Sequence, residues 1–236
     1  LTLSRGTWIL AFTFIVFFVL LTRNRKLLLN LAITGIAAMV LVYYPVNFGV
    51  NLYQMLDIES PNREQHNGGI GNRFSETFDE DTIALMNQSG RLFYIKKGFE
   101  VLQDYPITGS GFGTFGGAAT LSYGSPIYDE YGIRSDIYGG KNFYSDNQYI
   151  QIIAETGAIG VLLFAAFLLT MLGVFWKERK STFGKFMIAL WFATGVGGFF
   201  YNIWELKVYT LFFFMLFAIF ASYNSLYPKL TLSKEE

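Results

Sequence analysis

Residues 142–176 read NFYSDNQYIQIIAETGAIGVLLFAAFLLTMLGVFW, so a polar stretch leads directly into a long apolar run. The apolar part, residues 158–176, approaches the roughly 20 residues that a helix needs to cross a bilayer core of about 30 Å. Four other segments have a similar character, at about 7–22, 27–44, 186–204 and 208–224. We therefore predict an all-α integral membrane protein with about five transmembrane helices.

The composition supports a membrane protein and excludes several kinds of site. Of the 236 residues, 52% are hydrophobic and 15% are charged, whereas a soluble domain carries about 25% charged residues. The chain has no cysteine and a single histidine, His66. Disulfides, a cysteine nucleophile and a multi-histidine metal site are therefore excluded. We expect neither a metal nor another cofactor, and we interpret His66 as an exposed loop residue.

Basic residues indicate how the predicted helices cross the membrane. Nine of them follow the first, third and fifth segments, whereas the short loop between the fourth and fifth segments holds only Lys207. Because basic loops stay in the cytoplasm, residues 45–146 form one extracytoplasmic loop and residues 229–236 a cytoplasmic tail. Two helices then lie in residues 1–44 and three in residues 147–228. The first helix lacks the features of a signal peptide, and we expect the chain to be part of a longer membrane protein.

The long loop is predicted to be acidic and partly folded. It carries thirteen acidic and seven basic residues, which excludes a basic nucleic-acid surface. Loops of this length are usually functional. An amphipathic helix is predicted at about residues 89–103, with Ser89 as N-cap and Pro106 at its end. Its apolar positions recur at helical spacing: Leu92, Ile95, Phe99 and Leu102.

A glycine-rich segment, GFGTFG at residues 111–116, follows this helix and matches the nucleotide-binding pattern G-x-G-x-x-G. That pattern requires a preceding strand and a following helix within a parallel sheet. Here a helix precedes it, and the segment lies outside the cytoplasm. We interpret it as a turn whose glycines permit positive φ and close backbone approach.

Two arginines are candidates for binding an anion. Arg5 stands at the start of the first apolar segment, where it is either an interfacial anchor or a clamp whose guanidinium fits diphosphate oxygens. Arg91 lies in the first turn of the predicted loop helix, where a cation opposes the helix dipole. That placement indicates a partner anion, with a solvated surface arginine as the alternative.

The polar stretch before the third apolar run contains the remaining candidates. On a helix, Asn147, Gln151 and Glu155 share one face and line about 12 Å of depth. Because lipid disfavours such a stripe, we expect it to face protein or a wet cavity, as substrate-binding residues or as supports for the arginines. Asp146 has two interpretations: an N-cap, or a carboxylate general base at the membrane surface.

Three of these segments together resemble one family. TLSRGTW (2–8) resembles the Ser-Arg-Gly signature of the O-antigen ligase and O-antigen (Wzy-type) polymerase superfamily. GRLFYIKKGFEVLQDYPITGSGFGTFG (90–116) resembles its large-loop helix and the glycine turn that follows. SDNQYIQIIAETGAIGVLLF (145–164) resembles the entry into its next helix. The segments occur in the family's order, and they correspond to the C-terminal half of such a protein.

The resemblance implies a GT-C-like, multi-span glycosyltransferase of the bacterial inner membrane. It further implies a polyprenyl-diphosphate-linked glycan donor, a glycan acceptor and an inverting, metal-independent reaction. Arg5 and Arg91 match arginines that the family uses for diphosphate binding, and membrane lipids, a flippase and a chain-length regulator are implied partners. Asp146 stands where ligases carry histidine, which favours a polymerase of surface polysaccharide over a ligase that transfers glycan to a lipid or protein.

The chemistry of the residues agrees with the interpretation as a glycosyltransferase. No nucleotide-sugar pool exists outside the membrane, so the donor must arrive activated on a lipid. Two arginines would stabilise the leaving diphosphate, and Asp146 would accept the proton of the acceptor hydroxyl. A lipid or polysaccharide transporter is a second hypothesis, but the sequence shows no repeat with paired broken helices. A non-catalytic receptor or assembly subunit is a third.

Overall fold

The computed structural model of the protein describes residues 5–23, 90–133 and 144–232, together with isolated positions between 26 and 41. Its regular secondary structure is helical throughout this described part. In chain order the helices are α1 (Arg5–Thr22), α2 (Arg91–Asp104), α3 (Ala118–Tyr123), α4 (Gln148–Lys177), α5 (Thr182–Gly197), a 3-10 turn (Ile203–Glu205) and α6 (Lys207–Leu232).

Among the described residues, α4 is the one helix that is long and apolar enough to cross a membrane. Shorter apolar helices cover Gly6–Thr22 and Lys207–Tyr223, while the segment predicted at 27–44 falls largely outside the described residues. Helix α5 differs from the segment predicted at 186–204, because it begins at Thr182 and ends at Gly197. Glycine is a poor helix former, and the glycines around residue 197 end the helix before the apolar run is complete.

Helices α1, α4, α5 and α6 pack through aromatic and branched side chains. Helix α1 lies along α5, where the rings of Phe17 and Phe192 stack with their centroids 4.2 Å apart. Stacked rings add to the free energy of apolar burial, by about 0.5–1.5 kcal/mol per pair. The buried residues between α4, α5 and α6 form one apolar cluster: Met171, Phe175, Met187, Ile188, Leu190, Phe213 and Phe220.

The loop helix α2 packs on α4 with a face that coincides only partly with the predicted stripe, of which Ile95 packs against the buried residues. Its buried residues are Tyr94, Gly98 and Val101, whereas Leu92 and Phe99 of the predicted stripe are exposed. The reason is that Gly98 has no side chain, so this face of α2 can approach α4 closely. A Cβ at Gly98 would collide with the side chain of Ile150. Close approach through a glycine therefore decides which face is buried. The helix has Gly90 at its N-cap position, and Ser89 lies outside the described residues.

Helix α4 is interrupted at Gly157, where φ is 56° and ψ is −158°. The turn formed by residues 106–111 fills this interruption and bonds to the backbone on both sides of it. The four hydrogen bonds run from Ser110 N to Ala154 O (2.9 Å), Gly111 N to Glu155 O (3.0 Å), Ala158 N to Pro106 O (2.9 Å) and Ile159 N to Ile107 O (3.1 Å). The groups that an interrupted helix leaves unpaired are thus satisfied by the loop.

Two glycines make this fit possible. A Cβ at Gly157 would lie 2.5 Å from Gly109 N and 2.7 Å from the carbonyl of Ile107. A Cβ at Gly109, where φ is +70°, would collide with the backbone of Glu155 and Thr156. The glycines in PITGSG and AETG therefore serve close backbone contact between two distant segments.

We predict that Gly109→Ala destabilises the protein more than Gly132→Ala does. Both glycines have positive φ, at 70° and 63°, but a Cβ at Gly132 meets nothing within 4 Å. Gly132→Ala should cost only the conformational penalty of about 1–2 kcal/mol, whereas Gly109→Ala adds a backbone collision of about 1–3 kcal/mol. Thermal unfolding of the purified protein in detergent measures both. Equal melting temperatures would contradict the close contact at Gly157.

Candidate functional site

Asp146 lies just before α4 and does not cap it. The N-cap is Asn147, whose Oδ1 accepts hydrogen bonds from Tyr149 N and Ile150 N, each at 3.1 Å. The capping interpretation of Asp146 is therefore wrong. Asp146 instead has φ of 48°, in the left-handed region that few residues other than glycine, asparagine and aspartate adopt. Its carboxylate is not used by the end of the helix.

Arg91 and Asp146 lie together at the surface of the protein. Arg91 Nη2 is 3.7 Å from Asp146 Oδ2, and about half of each side chain is exposed. The same nitrogen donates to Phe200 O at 3.3 Å, and the guanidinium lies 6.0 Å from the centre of the Phe200 ring. An exposed ion pair of this length contributes little to stability. Because the pair is weak and about half of the Arg91 side chain is exposed, Arg91 is accessible to another anion.

Partial burial raises the pKa of Asp146 above its ordinary value of 3.8, because the charged carboxylate loses hydration. The positive charge of Arg91 acts in the opposite direction, but it offsets only part of this effect. A carboxylate with a raised pKa is a better proton acceptor than an ordinary aspartate. Tyr144 lies nearby, and its hydroxyl donates to Glu205 Oε2 at 3.1 Å.

Arg5 is the first residue of α1, and its side chain lies outside the described part of the structure. Its neighbours Gly6 and Thr7 nevertheless show where the start of α1 lies. A Cβ at Gly6 would lie 2.8 Å from the ring of Tyr201 and 2.9 Å from Phe200 Cβ, and Thr7 Oγ1 is 3.1 Å from Tyr201 Oη. The start of α1 therefore packs on the same segment to which Arg91 bonds.

The polar stripe of α4 faces protein. Gln151 and Glu155 are 3% and 2% exposed. Gln151 Nε2 donates to Glu205 Oε1 at 2.7 Å, and Glu155 Oε1 accepts a bond from Phe115 N at 3.0 Å. Because burying a charged or polar group is costly unless it is bonded, these partners explain how the stripe is tolerated. Gln151 and Glu155 hold the glycine-rich turn and the segment after α5 against α4.

Two polar residues in that segment after α5, Asn202 and Glu205, were not among the predicted site residues. Asn202 is fully buried, and Glu205 Oε2 accepts hydrogen bonds from Ala118 N at 2.8 Å and from Tyr144 Oη. The signal was present in YNIWELKVY, where an amide and a carboxylate lie within a short aromatic loop between two apolar segments. Such groups must find partners when the loop is buried.

The arrangement as a whole suits chemistry on an anionic substrate. A guanidinium and a carboxylate with a raised pKa lie side by side and half exposed, close to the start of α1. Beneath them the buried polar side chains are bonded, and within the described residues every buried side-chain nitrogen or oxygen has a partner. The carboxylates in that same part of the chain do not form a group of three or more metal ligands, and His66 lies outside it.

Comparison with known proteins identifies the family. A search of curated proteins and a search of solved structures each find no match. A family model described as O-antigen ligase matches residues 1–165, a range that includes Arg5, Arg91 and Asp146 and ends before α5. Proteins of this family are glycosyltransferase-like membrane enzymes. The resemblance seen in the sequence is thus confirmed, and the chain belongs to the O-antigen ligase family.

Proposed function

We propose that the protein polymerises polyprenyl-diphosphate-linked oligosaccharide units into a surface polysaccharide. The main support is the pairing of Arg91 with Asp146 at 3.7 Å, beside the end of α1 that begins with Arg5. The family includes ligases and polymerases, and the aspartate at position 146 favours a polymerase. The proposed substrates are a lipid-linked glycan donor and a glycan acceptor, with a flippase and a chain-length regulator as partners.

The proposed location is the outer face of the bacterial inner membrane. Residues 158–177 of α4 extend over about 30 Å at 1.5 Å per residue, which matches the hydrocarbon core of a bilayer. Asp146 and the interruption at Gly157 precede this part of the helix. The apolar segments beginning at residues 7, 27, 186 and 208 would supply the other spans, and the acidic loop would lie outside the cytoplasm.

In the proposed reaction the acceptor hydroxyl attacks C1 of the donor sugar from the face opposite the diphosphate. The C1–O bond to the diphosphate breaks, and the polyprenyl diphosphate leaves with the bonding electron pair. Arg91 and Arg5 stabilise the negative charge that develops on this leaving group. Asp146 receives the proton of the acceptor hydroxyl. The products are the extended glycan and the polyprenyl diphosphate, with inverted configuration at C1.

Two alternatives differ in their products. A ligase would use the same donor but would transfer the glycan to a lipid or protein acceptor. A transporter is favoured by one observation, the interruption of α4 at Gly157, because interrupted helices line many transport pathways. The turn at residues 106–111 fills this interruption, which argues against an open pathway. Reconstitution with lipid-linked repeat units separates the three functions. A polymerase extends the glycan, a ligase transfers it to another acceptor, and a transporter moves it without forming a bond.

We predict that Asp146→Asn lowers the rate of polymer extension by at least about 100-fold, the lower bound for loss of a general base. The amide has nearly the same shape but does not accept the proton. The matched control is Asp129→Asn, the same substitution at an exposed position of the loop, and it should leave the rate unchanged. The measurement is the ladder of product lengths formed by the purified protein in liposomes. A normal ladder from Asp146→Asn would exclude Asp146 as the base.

A second prediction concerns the pH dependence of the rate. As a base, Asp146 must be deprotonated, so the rate falls as the pH drops through its pKa. Arg91 lowers that pKa, and its removal leaves the effect of burial unopposed. In Arg91→Gln the acidic decline of the residual rate should therefore begin at a higher pH than in the wild type. The measurement is the initial rate of extension over a pH series.

Lys97→Gln is the control for this pH series. It removes one positive charge from the same helix, but Lys97 pairs with Glu100 and is not among the groups that shift the pKa of Asp146, so the acidic decline should stay at the wild-type pH. If the decline occurs at the same pH in all three proteins, the titrating group is not Asp146.

A further inference from the structure

Asn202 lies between α5 and α6 and uses all of its hydrogen-bonding capacity. Its Oδ1 accepts from Asn147 N at 2.9 Å and from Ser145 Oγ at 3.1 Å. Its Nδ2 donates to Gly116 O at 2.8 Å and to Gln151 Oε1 at 2.9 Å. An asparagine amide offers two acceptor and two donor positions, and the side chain is 0% exposed. Its orientation is therefore fixed by four bonds.

The two groups that bond to Oδ1 belong to the residues on either side of Asp146. Asn147 N is the first backbone donor after Asp146, and Ser145 is the residue before it. Asp146 itself has φ of 48°, a conformation that persists only where the surroundings impose it. The Asn202 side chain supplies this constraint from a distant part of the chain.

We propose that Asn202 is a positioning residue that holds the Asp146 carboxylate in its reactive place. The proposal rests on the proposed function, in which Asp146 accepts the proton of the acceptor. Asn202 does not contact the donor in this scheme; it acts through the backbone on both sides of Asp146. Its position lies beyond residues 1–165, the range matched by the family model.

The contacts predict a specific kinetic signature. Arg91 donates a hydrogen bond to Phe200 O and forms an ion pair with Asp146, and none of the four bonds of Asn202 involves it. Loss of the Asn202 side chain should therefore displace the base and leave the diphosphate clamp in place. We expect kcat to fall while KM for the lipid-linked donor changes by less than about 2-fold, the pattern of an interaction made only in the transition state.

The test compares three variants of the intact protein in liposomes. Asn202→Ala removes all four bonds and should lower kcat by about 100-fold, the effect of a misplacement near 1 Å. Ser145→Ala leaves Asn202 three of its four bonds, although it also removes the weaker bond from Ser145 Oγ to Asn147 O at 3.3 Å, and it should lower kcat by about 3- to 10-fold. Thr210→Val is the matched control. Thr210 lies in α6, and its Oγ1 donates to Trp204 O at 2.9 Å and to Ile203 O at 3.4 Å rather than to residues 145–147.

A double variant separates positioning from a structural role. In the Asp146→Asn background, Asn202→Ala should cause no further loss of the residual rate, because the group that it positions is already inactive. A purely structural role would lower the rate by the same factor in both backgrounds and would raise KM along with the loss of stability. That result would overturn the proposal. So would Ser145→Ala and Asn202→Ala variants that have the kcat of Thr210→Val.

The same experiment distinguishes failure of this inference from failure of the proposed function. If the wild-type protein extends lipid-linked units and Asn202→Ala does so at the rate of Thr210→Val, the inference alone is wrong. If the wild-type protein forms no glycosidic bond with these units, the proposed function is wrong and the inference falls with it.

Discussion

The four backbone hydrogen bonds between residues 106–111 and the interruption of α4 hold the glycine-rich segment and α2 to the longest apolar helix of the described residues. An interrupted helix leaves donors and acceptors without partners, which is costly wherever the backbone is buried away from water. The turn satisfies these groups, and Gly109 and Gly157 allow the two backbones to meet. The glycine-rich segment and α2 are thereby fixed beside the entry to α4, where Asp146 lies.

A buried polar network beside the interruption of α4 is a second constraint on the structure. Glu155, Gln151 and Asn202 are nearly inaccessible, and each is bonded to the backbone or to another side chain. Partly satisfied networks in a low-dielectric interior are unstable, whereas fully satisfied ones hold a single arrangement. The network joins the glycine-rich segment, α4 and the turn after α5, which are far apart in sequence. It gives the exposed Arg91–Asp146 pair a rigid base.

Local patterns in the sequence predicted the family and the helical class, because motif order and apolar length are visible without tertiary contacts. They singled out Arg91 and Asp146, which lie side by side in the structure, but they left open the N-cap, for which aspartate and asparagine are equally suited. They also predicted the buried face of α2 only in part, since the close contact at Gly98 depends on Ile150 of another helix. Asn202 was missed because its partners lie at Gly116, Ser145, Asn147 and Gln151, and periodicity carries no such information.

The loose ion pair between Arg91 and Asp146 implies an order of events. Before a donor binds, the Asp146 carboxylate forms an ion pair with Arg91. A diphosphate that occupies this guanidinium competes for that charge, and the pKa of Asp146 then rises. In the proposed reaction the base therefore becomes stronger only after the glycan to be transferred is bound. On that proposal the carboxylate is less basic in the free protein, and binding of the donor makes it more basic.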